Sequence, residues 1–182
     1  MQPASRYVIG IRFGLITGFL YAILLFCRYH FFSSDPTTYF SFILASYVVI
    51  LFAFLFTGIA RKKELGGFAE VREIFQSIFI AILITEFIYV LFIFIYMKRI
   101  DPGFMNHFRE SALAFYHQKG LGVSEIDMRM KGVDSLAEQA KPAGLVKGFG
   151  TAVVVDSVFG FIFSFILRKQ KPSSEESKIK FT

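Results

Sequence analysis

Four long apolar runs separated by polar connections constrain this chain more than any other feature. They cover residues 7–32, 39–60, 74–97 and 145–167. A hydrocarbon layer roughly 30 Å thick takes about 20 helical residues, so each run is long enough to cross it. Because lipid cannot hydrogen-bond a bare backbone, segments that are apolar on every face must be helical. The sequence therefore predicts an all-α integral membrane protein with four transmembrane helices.

The composition fits a single membrane unit. The 182 residues are 54% apolar and include 25 Phe, and the mean hydropathy of +0.55 is above what a soluble domain needs. We predict one membrane domain over residues 1–171, with a long extracytoplasmic amphipathic connection at 98–144. Residues 172–182 are predicted to be a disordered cytoplasmic tail.

Basic residues predict the orientation, because Lys and Arg resist translocation. They flank the link between the second and third runs and follow the fourth run: Arg61, Lys62, Lys63, Arg72, Arg168, Lys169 and Lys171. Both termini are therefore predicted to be cytoplasmic, although the basic residues of the 98–144 connection and its flanks count against this orientation. We attribute the net charge of +6 to basic residues that flank the helices on the cytoplasmic side and face anionic lipid. The lipid bilayer is the expected partner, and no nucleic acid is expected.

The connection at 98–144 is predicted to contain two amphipathic helices at the membrane surface. The first is expected to begin with Asp101 as its cap and Pro102 in its first turn. The second is expected to begin at Ser124 and to stop before Pro142. Apolar residues recur at helical spacing in both: Phe104, Phe108, Ala112, Phe115, Ile126, Met130, Val133 and Ala137. A solvated lid over the bundle and a platform for a partner or ligand are both open interpretations.

Small residues mark two helix faces. They recur at four-residue spacing in the first run at Gly10, Gly14 and Gly18, and in the fourth run at Gly144, Gly148, Ala152, Asp156, Gly160 and Ser164. Such a stripe lets another helix approach closely where lipid offers no hydrophobic drive to associate. We expect the first and fourth transmembrane helices to pack tightly on each other, and homodimerisation through the same face is the alternative.

Two carboxylic acids, Glu86 and Asp156, lie near the midpoints of the third and fourth runs. Intramembrane acids are costly and commonly functional. The two helices should be antiparallel, so the acids are expected at similar depth and can face each other, where they would share a proton. Three interpretations stay open: a protonated acid bonded to neighbours such as Thr85, Tyr89 or Ser157, proton or cation handling, and ligand binding.

Arg12 and Arg28 are the candidate counter-ions for these acids. They lie about 24 Å apart along one helix, which puts each near an edge of the hydrocarbon layer. We expect both side chains to snorkel to water.

Enzyme chemistry finds little support in the sequence. There is no zinc-protease motif, nucleophile elbow, Walker loop or metal-spaced Cys/His cluster. An intramembrane aspartyl hydrolase is the one catalytic interpretation that Glu86 and Asp156 permit, but the expected motif context is missing. We expect no enzyme activity, no cofactor and no metal site.

Two segments resemble a known family. They are Arg-Lys-Lys-Glu-Leu-Gly-Gly-Phe at 61–68 and Tyr-Met-Lys-Arg-Ile-Asp-Pro-Gly-Phe at 96–104, followed by a charged connection and a final helix closed by Arg168 and Lys169. The pattern is similar to a family of small four-helix membrane proteins of Bacteroidota known only as a domain of unknown function. The resemblance implies an inner-membrane location in a Gram-negative bacterium, and it implies no activity, cofactor or site residue.

Two hypotheses of function follow. The first is a structural or accessory membrane component that packs with itself or with another membrane protein through its glycine stripes. The second is a small transporter or proton- or cation-coupled module that uses Glu86 and Asp156. The short chain and the lack of a clear inverted repeat count against transport.

Overall fold

In a computed structural model, which describes residues 7–169, the chain folds into six α-helices. They are α1 (Val8–Phe31), α2 (Pro36–Glu64), α3 (Val71–Ile95), α4 (Phe104–Gln118), α5 (Val123–Gln139) and α6 (Pro142–Leu167). Four of them, α1, α2, α3 and α6, are long and apolar enough to cross a membrane, and the described range contains no strand. The all-α prediction with four transmembrane helices is confirmed. The predicted tail at 172–182 lies outside the described residues.

The ends of α2 extend beyond the predicted apolar run because capping residues flank it. Asp35 caps the first turn by accepting a hydrogen bond from the Thr37 amide at 2.9 Å, and Pro36 occupies the first helical position. At the other end Gly66 and Gly67 have positive φ angles of 75° and 87°, which glycine adopts without strain.

The doubled glycine stripe of α1 packs against α3, so the predicted contact between the first and fourth transmembrane helices is wrong. A β-carbon at Gly10 would lie 2.7 Å from the carbonyl oxygen of Ser77, and one at Gly14 would lie 2.9 Å from Cβ of Ile84. The stripe therefore does hold a helix at close range. Its partner differs because helix order around a bundle is not encoded in the spacing of one stripe.

The central helix of the bundle is α3, which contacts α1, α2 and α6. On the α6 side, Gly160 admits the side chain of Ile78, whose Cγ2 would lie 2.9 Å from an added β-carbon. Beyond the helices, the backbones of Ala69 and Lys169 exchange two 3.0 Å hydrogen bonds. This bridge places the basic α2–α3 loop and the end of α6 at the same end of the molecule.

At the opposite end, α4 and α5 form a lid that packs across the bundle. Its buried side chains share one core with the ends of α1, α2 and α3: Leu25, Tyr29, Tyr39, Tyr96, Phe104, Phe108, Ala112, Tyr116, Ile126, Met130 and Val133. The contact between Tyr39 and Phe108, with ring centroids 4.4 Å apart, joins α2 to α4. The two predicted amphipathic helices thus form and cover the bundle.

The predicted capping residues of the two lid helices are wrong, although α5 starts within one residue of the predicted Ser124. α4 is preceded by Gly103, so neither Asp101 nor Pro102 lies in its first turn. α5 is preceded by Gly122, and Ser124 lies within the helix without capping it. A π-helical turn at Tyr96–Ile100 prolongs α3, and Asp101 follows its last residue. Local cap signals were outweighed by the packing of the lid on the bundle end.

Candidate functional site

The two intramembrane acids come together between α3 and α6, as the sequence suggested. Glu86 on α3 is 4% exposed and Asp156 on α6 is 1% exposed. The two carboxyl groups lie close enough to interact directly. In a low-dielectric interior two carboxyl groups in contact cannot both remain bare anions. The pair must therefore hold a proton or bind a cation.

A tyrosine on a third helix completes the site. The hydroxyl of Tyr47, on α2, donates a 2.7 Å hydrogen bond to Oδ1 of Asp156. The other carboxyl oxygen, Oδ2, is buried and receives no hydrogen bond from an N–H or hydroxyl donor in the described part of the chain. Glu86 can pair with Asp156 only when one of the two acids carries a proton. Buried polar atoms are rarely left unpaired, so this oxygen marks a place for a proton, a cation, a water or a ligand group.

The hydrogen-bond neighbours predicted for the acids are otherwise occupied. Thr85 donates to the carbonyl of Gly14 at 3.3 Å, and Ser157 donates to the carbonyl of Val153 at 2.6 Å. Each hydroxyl donates its hydrogen to a backbone carbonyl, so neither donates a hydrogen bond to Glu86 or Asp156. The predictions that named Thr85 and Ser157 are wrong because adjacency along a helix points side chains to different faces. Tyr89, the third predicted neighbour, lines the same cavity as the acids but accepts a hydrogen bond from Arg28.

Sequence reasoning missed Tyr47, although a signal was present. Tyrosines in membrane helices prefer the two interfaces, where the hydroxyl reaches water. Tyr47 lies well inside α2, and a buried tyrosine hydroxyl usually finds a hydrogen-bond partner. An interior tyrosine therefore indicated a polar group on another helix.

The acid pair lines a cavity of about 680 Å³. Volumes of roughly 300–1,000 Å³ are usual for small-molecule sites. The cavity extends from the two acids to polar residues at the lid end, and its walls come from α1, α2, α3, α5 and α6: Tyr21, Tyr47, Tyr89, Ser135, Glu138, Gln139, Gly144, Lys147, Gly148, Thr151, Ala152 and Val155. It thus connects the middle of the bundle with the charged edge of the lid.

The small-residue stripe of α6 lines this cavity in part. A β-carbon at Gly148 would meet nothing within 4 Å. Gly144, one turn earlier, instead lies against the backbone of Glu138 and Gln139 at the end of α5. The stripe therefore has two roles that its spacing does not distinguish. Gly144 and Gly160 allow close contact with neighbouring helices, whereas Gly148 leaves open space in the cavity.

Arg28, near the lid end of α1, is buried, and the prediction that it snorkels to water is wrong. Arg28 is 4% exposed, whereas Arg12 at the other end of α1 is exposed as expected. The guanidinium lies 5.0 Å from the ring centroids of both Tyr29 and Tyr39. It also donates a 3.3 Å hydrogen bond to the hydroxyl of Tyr29. The rings hold the side chain inside the bundle.

These aromatic contacts offset only part of the cost of burying Arg28. Burying one ion costs several kcal/mol, and a desolvated cation–π contact returns about 2 kcal/mol. None of the ion pairs found within residues 7–169 involves Arg28. Its Nε is buried without a hydrogen-bond partner in the same range. A buried guanidinium without a carboxylate partner is a second polar group left open beside the cavity.

Within the described residues, no group of three or more His, Cys, Asp and Glu side chains is placed to hold a metal ion. The cavity offers the two carboxyl groups and tyrosine hydroxyls in the bundle, with Glu138 and Lys147 at its lid end.

A family model described as "Protein of unknown function (DUF4199)" matches residues 12–169. This range covers α1 from Arg12 onward, the other three transmembrane helices, the lid and both acids. No curated protein and no solved structure matches the chain.

Proposed function

Because the chain belongs to the DUF4199 family, whose description gives no activity, we propose a function from the geometry of its interior: a small proton- or cation-coupled membrane module. Its binding site is the pair Glu86 and Asp156. The role is one of binding and transfer, without catalysis and without a cofactor.

The observation that carries this proposal is the contact between two buried acids, Glu86 and Asp156, at the wall of an open cavity of about 680 Å³. If the acids served structure alone, we would expect them to be closely packed on every side, since protein interiors leave few voids. Instead the pair borders open space that leads to the lid. A proton or cation entering from that end reaches the carboxyl groups along a polar wall that includes Thr151 and Tyr89.

Ion flux in liposomes tests the proposal. The full chain, reconstituted with a pH-sensitive dye inside the vesicles, is expected to move protons when a cation gradient is applied. Glu86→Gln and Asp156→Asn should each reduce the rate at least tenfold. Glu110→Gln, which changes an exposed acid of the lid, is the matched control and should leave the rate unchanged. Equal rates in all four proteins and in empty vesicles would contradict the proposal.

A structural or accessory component that packs with itself or with a partner membrane protein is the second candidate. One observation favours it: α6 is the least buried transmembrane helix, with 17% of its most apolar stretch buried against 28% to 33% in the others. Its apolar side chains Val154 and Phe161 face outward. Cross-linking at Val154→Cys in a Cys27→Ser background should then capture a dimer in native membranes. A cross-linked product no more abundant than with Phe87→Cys, an exposed position on α3, would count against this candidate.

For location we propose the inner membrane of a Bacteroidota bacterium with both termini cytoplasmic. The supports are the resemblance carried by residues 61–68 and 96–104 and the clustering of basic residues. The backbone bridge between Ala69 and Lys169 gathers the basic α2–α3 loop and the end of α6 at one end, opposite the lid. The orientation is tested by labelling the single-cysteine variants Lys62→Cys and Lys131→Cys with an impermeant reagent. Only the variant at position 131, in the lid, should react in intact cells.

A further inference from the structure

The buried guanidinium of Arg28 borders a small cavity that adjoins the larger one. This second space measures about 50 Å³. It shares four wall residues with the cavity of the acid pair: Tyr89, Gln139, Gly144 and Gly148. Tyr89 also interacts directly with the guanidinium. The acids and the arginine therefore open into neighbouring spaces on either side of one tyrosine.

The two ends of this joined space need partners of opposite charge. Arg28 has an unpaired Nε, and a planar guanidinium binds carboxylate and phosphate oxygens in a fixed geometry. Oδ2 of Asp156 receives no hydrogen bond from an N–H or hydroxyl donor of the described residues, and a carboxylate pair accepts hydrogen bonds from an ammonium group. Both side chains are more than nine-tenths buried. An ion of either sign would satisfy only one end.

We propose that the joined cavities bind a small zwitterion, with its carboxylate or phosphate at Arg28 and its ammonium group at Glu86 and Asp156. This inference rests on the proposed function, because the ammonium group is the cation assigned to the acid pair. The aromatic side chains of Tyr21 and Tyr89, which stack with ring centroids 5.0 Å apart, provide a wall along the ligand between its charged groups. The volume admits a molecule the size of an amino acid.

A series of amino acids of increasing length tests this inference. Glycine, β-alanine, 4-aminobutyrate and 6-aminohexanoate are titrated into the full chain in detergent, and binding is measured by calorimetry. Butylamine and butyrate each carry one of the two charges. At least one amino acid should bind the wild-type protein about tenfold or more tightly than butylamine, because it adds a charge-assisted contact at Arg28.

The variants separate the two ends of the site. Arg28→Gln should bind the preferred amino acid no more tightly than butylamine, while its affinity for butylamine stays the same. Arg12→Gln, which changes the exposed arginine of the same helix, should keep the wild-type preference. If Arg28→Gln fails to fold, Arg28→Lys retains the charge but not the planar donor pair, and the preference should fall at least threefold.

The outcomes distinguish this inference from the proposed function. Butylamine binding as tightly as every amino acid, with Asp156→Asn abolishing both, would overturn the anion site and leave the acid pair in place. If none of the probes binds, the zwitterion site is wrong. The proposed function would fail as well only if Asp156→Asn left the ion flux unchanged.

Discussion

The hydroxyl of Tyr47 on α2 donates a 2.7 Å hydrogen bond to Asp156 on α6, which links two helices far apart in sequence at the middle of the bundle. The bond fixes one oxygen of Asp156 and leaves the other for Glu86 and the cavity. Asp156 is thereby held in place while its second oxygen receives no hydrogen bond from an N–H or hydroxyl donor of the described residues. This arrangement supports our proposal that the site takes up and releases a proton or cation.

Tyr47→Phe should lower the free energy of unfolding by about 1–3 kcal/mol, because it leaves a second buried oxygen of Asp156 without a partner. Ser157→Ala, next to the acid on the same helix, is the control. Among residues 7–169, the Ser157 hydroxyl bonds only the carbonyl of Val153, so this change should cost about 0.5 kcal/mol or less. Unfolding in detergent mixtures measures both. Equal losses would show that the tyrosine bond does not hold the acid.

Glycine substitutions should separate the packed stripe from the cavity wall. Gly14→Ala should destabilise the bundle by about 1–3 kcal/mol, since its β-carbon would lie 3.0 Å from Cα of Ala81. Gly148→Ala adds the same group to open space on α6 and should leave stability unchanged or slightly raised. Thermal unfolding in detergent compares them. A destabilisation of Gly148→Ala as large as that of Gly14→Ala would contradict the packing described for α1 and α3.

The cap of α2 predicts a dependence of stability on pH. The Thr38 hydroxyl, which donates a 2.6 Å hydrogen bond to Asp35, is the main cause that lowers the pKa of this carboxyl group below its usual value. Because the folded pKa is lowered, the stabilisation is complete above the unfolded pKa of about 3.9 and is lost as the pH falls through the folded value. Asp35→Ala should therefore cost about 1 kcal/mol at neutral pH and less in acid.

Asp35→Asn is the control for this titration, because asparagine caps a helix about as well as aspartate but does not ionise. It should retain most of the stability at neutral pH and lose the pH dependence. Unfolding measured between neutral pH and pH of about 3 covers the window. A constant difference between Asp35→Ala and the wild-type protein across that window would contradict the role of the carboxylate.

The sequence could predict those features that depend on local composition. Apolar length determined the four transmembrane helices, and helical spacing of residues such as Phe108 and Met130 indicated the lid. The central positions of Glu86 and Asp156 predicted a similar depth. Each of these follows from one segment taken alone.

The features that eluded sequence reasoning depend on which helices are neighbours. The stripe of Gly10 and Gly14 signalled close approach, but only the assembled bundle shows that α3 is its partner. Arg28 near the end of an apolar helix is expected to reach water, and it is buried because the lid brings further aromatic residues over the tyrosines around it. The role of Tyr47 likewise depends on the position of α6.

Infrared spectroscopy of the carboxyl groups tests the central claim most directly. In membranes at neutral pH, the wild-type protein should show an absorption band of a protonated carboxyl group that weakens when a small ammonium cation is added. Glu86→Gln and Asp156→Asn should each remove this cation-sensitive band, and Glu110→Gln should retain it. A wild-type band that does not respond to added cation, or one that persists unchanged in both acid variants, would contradict the account.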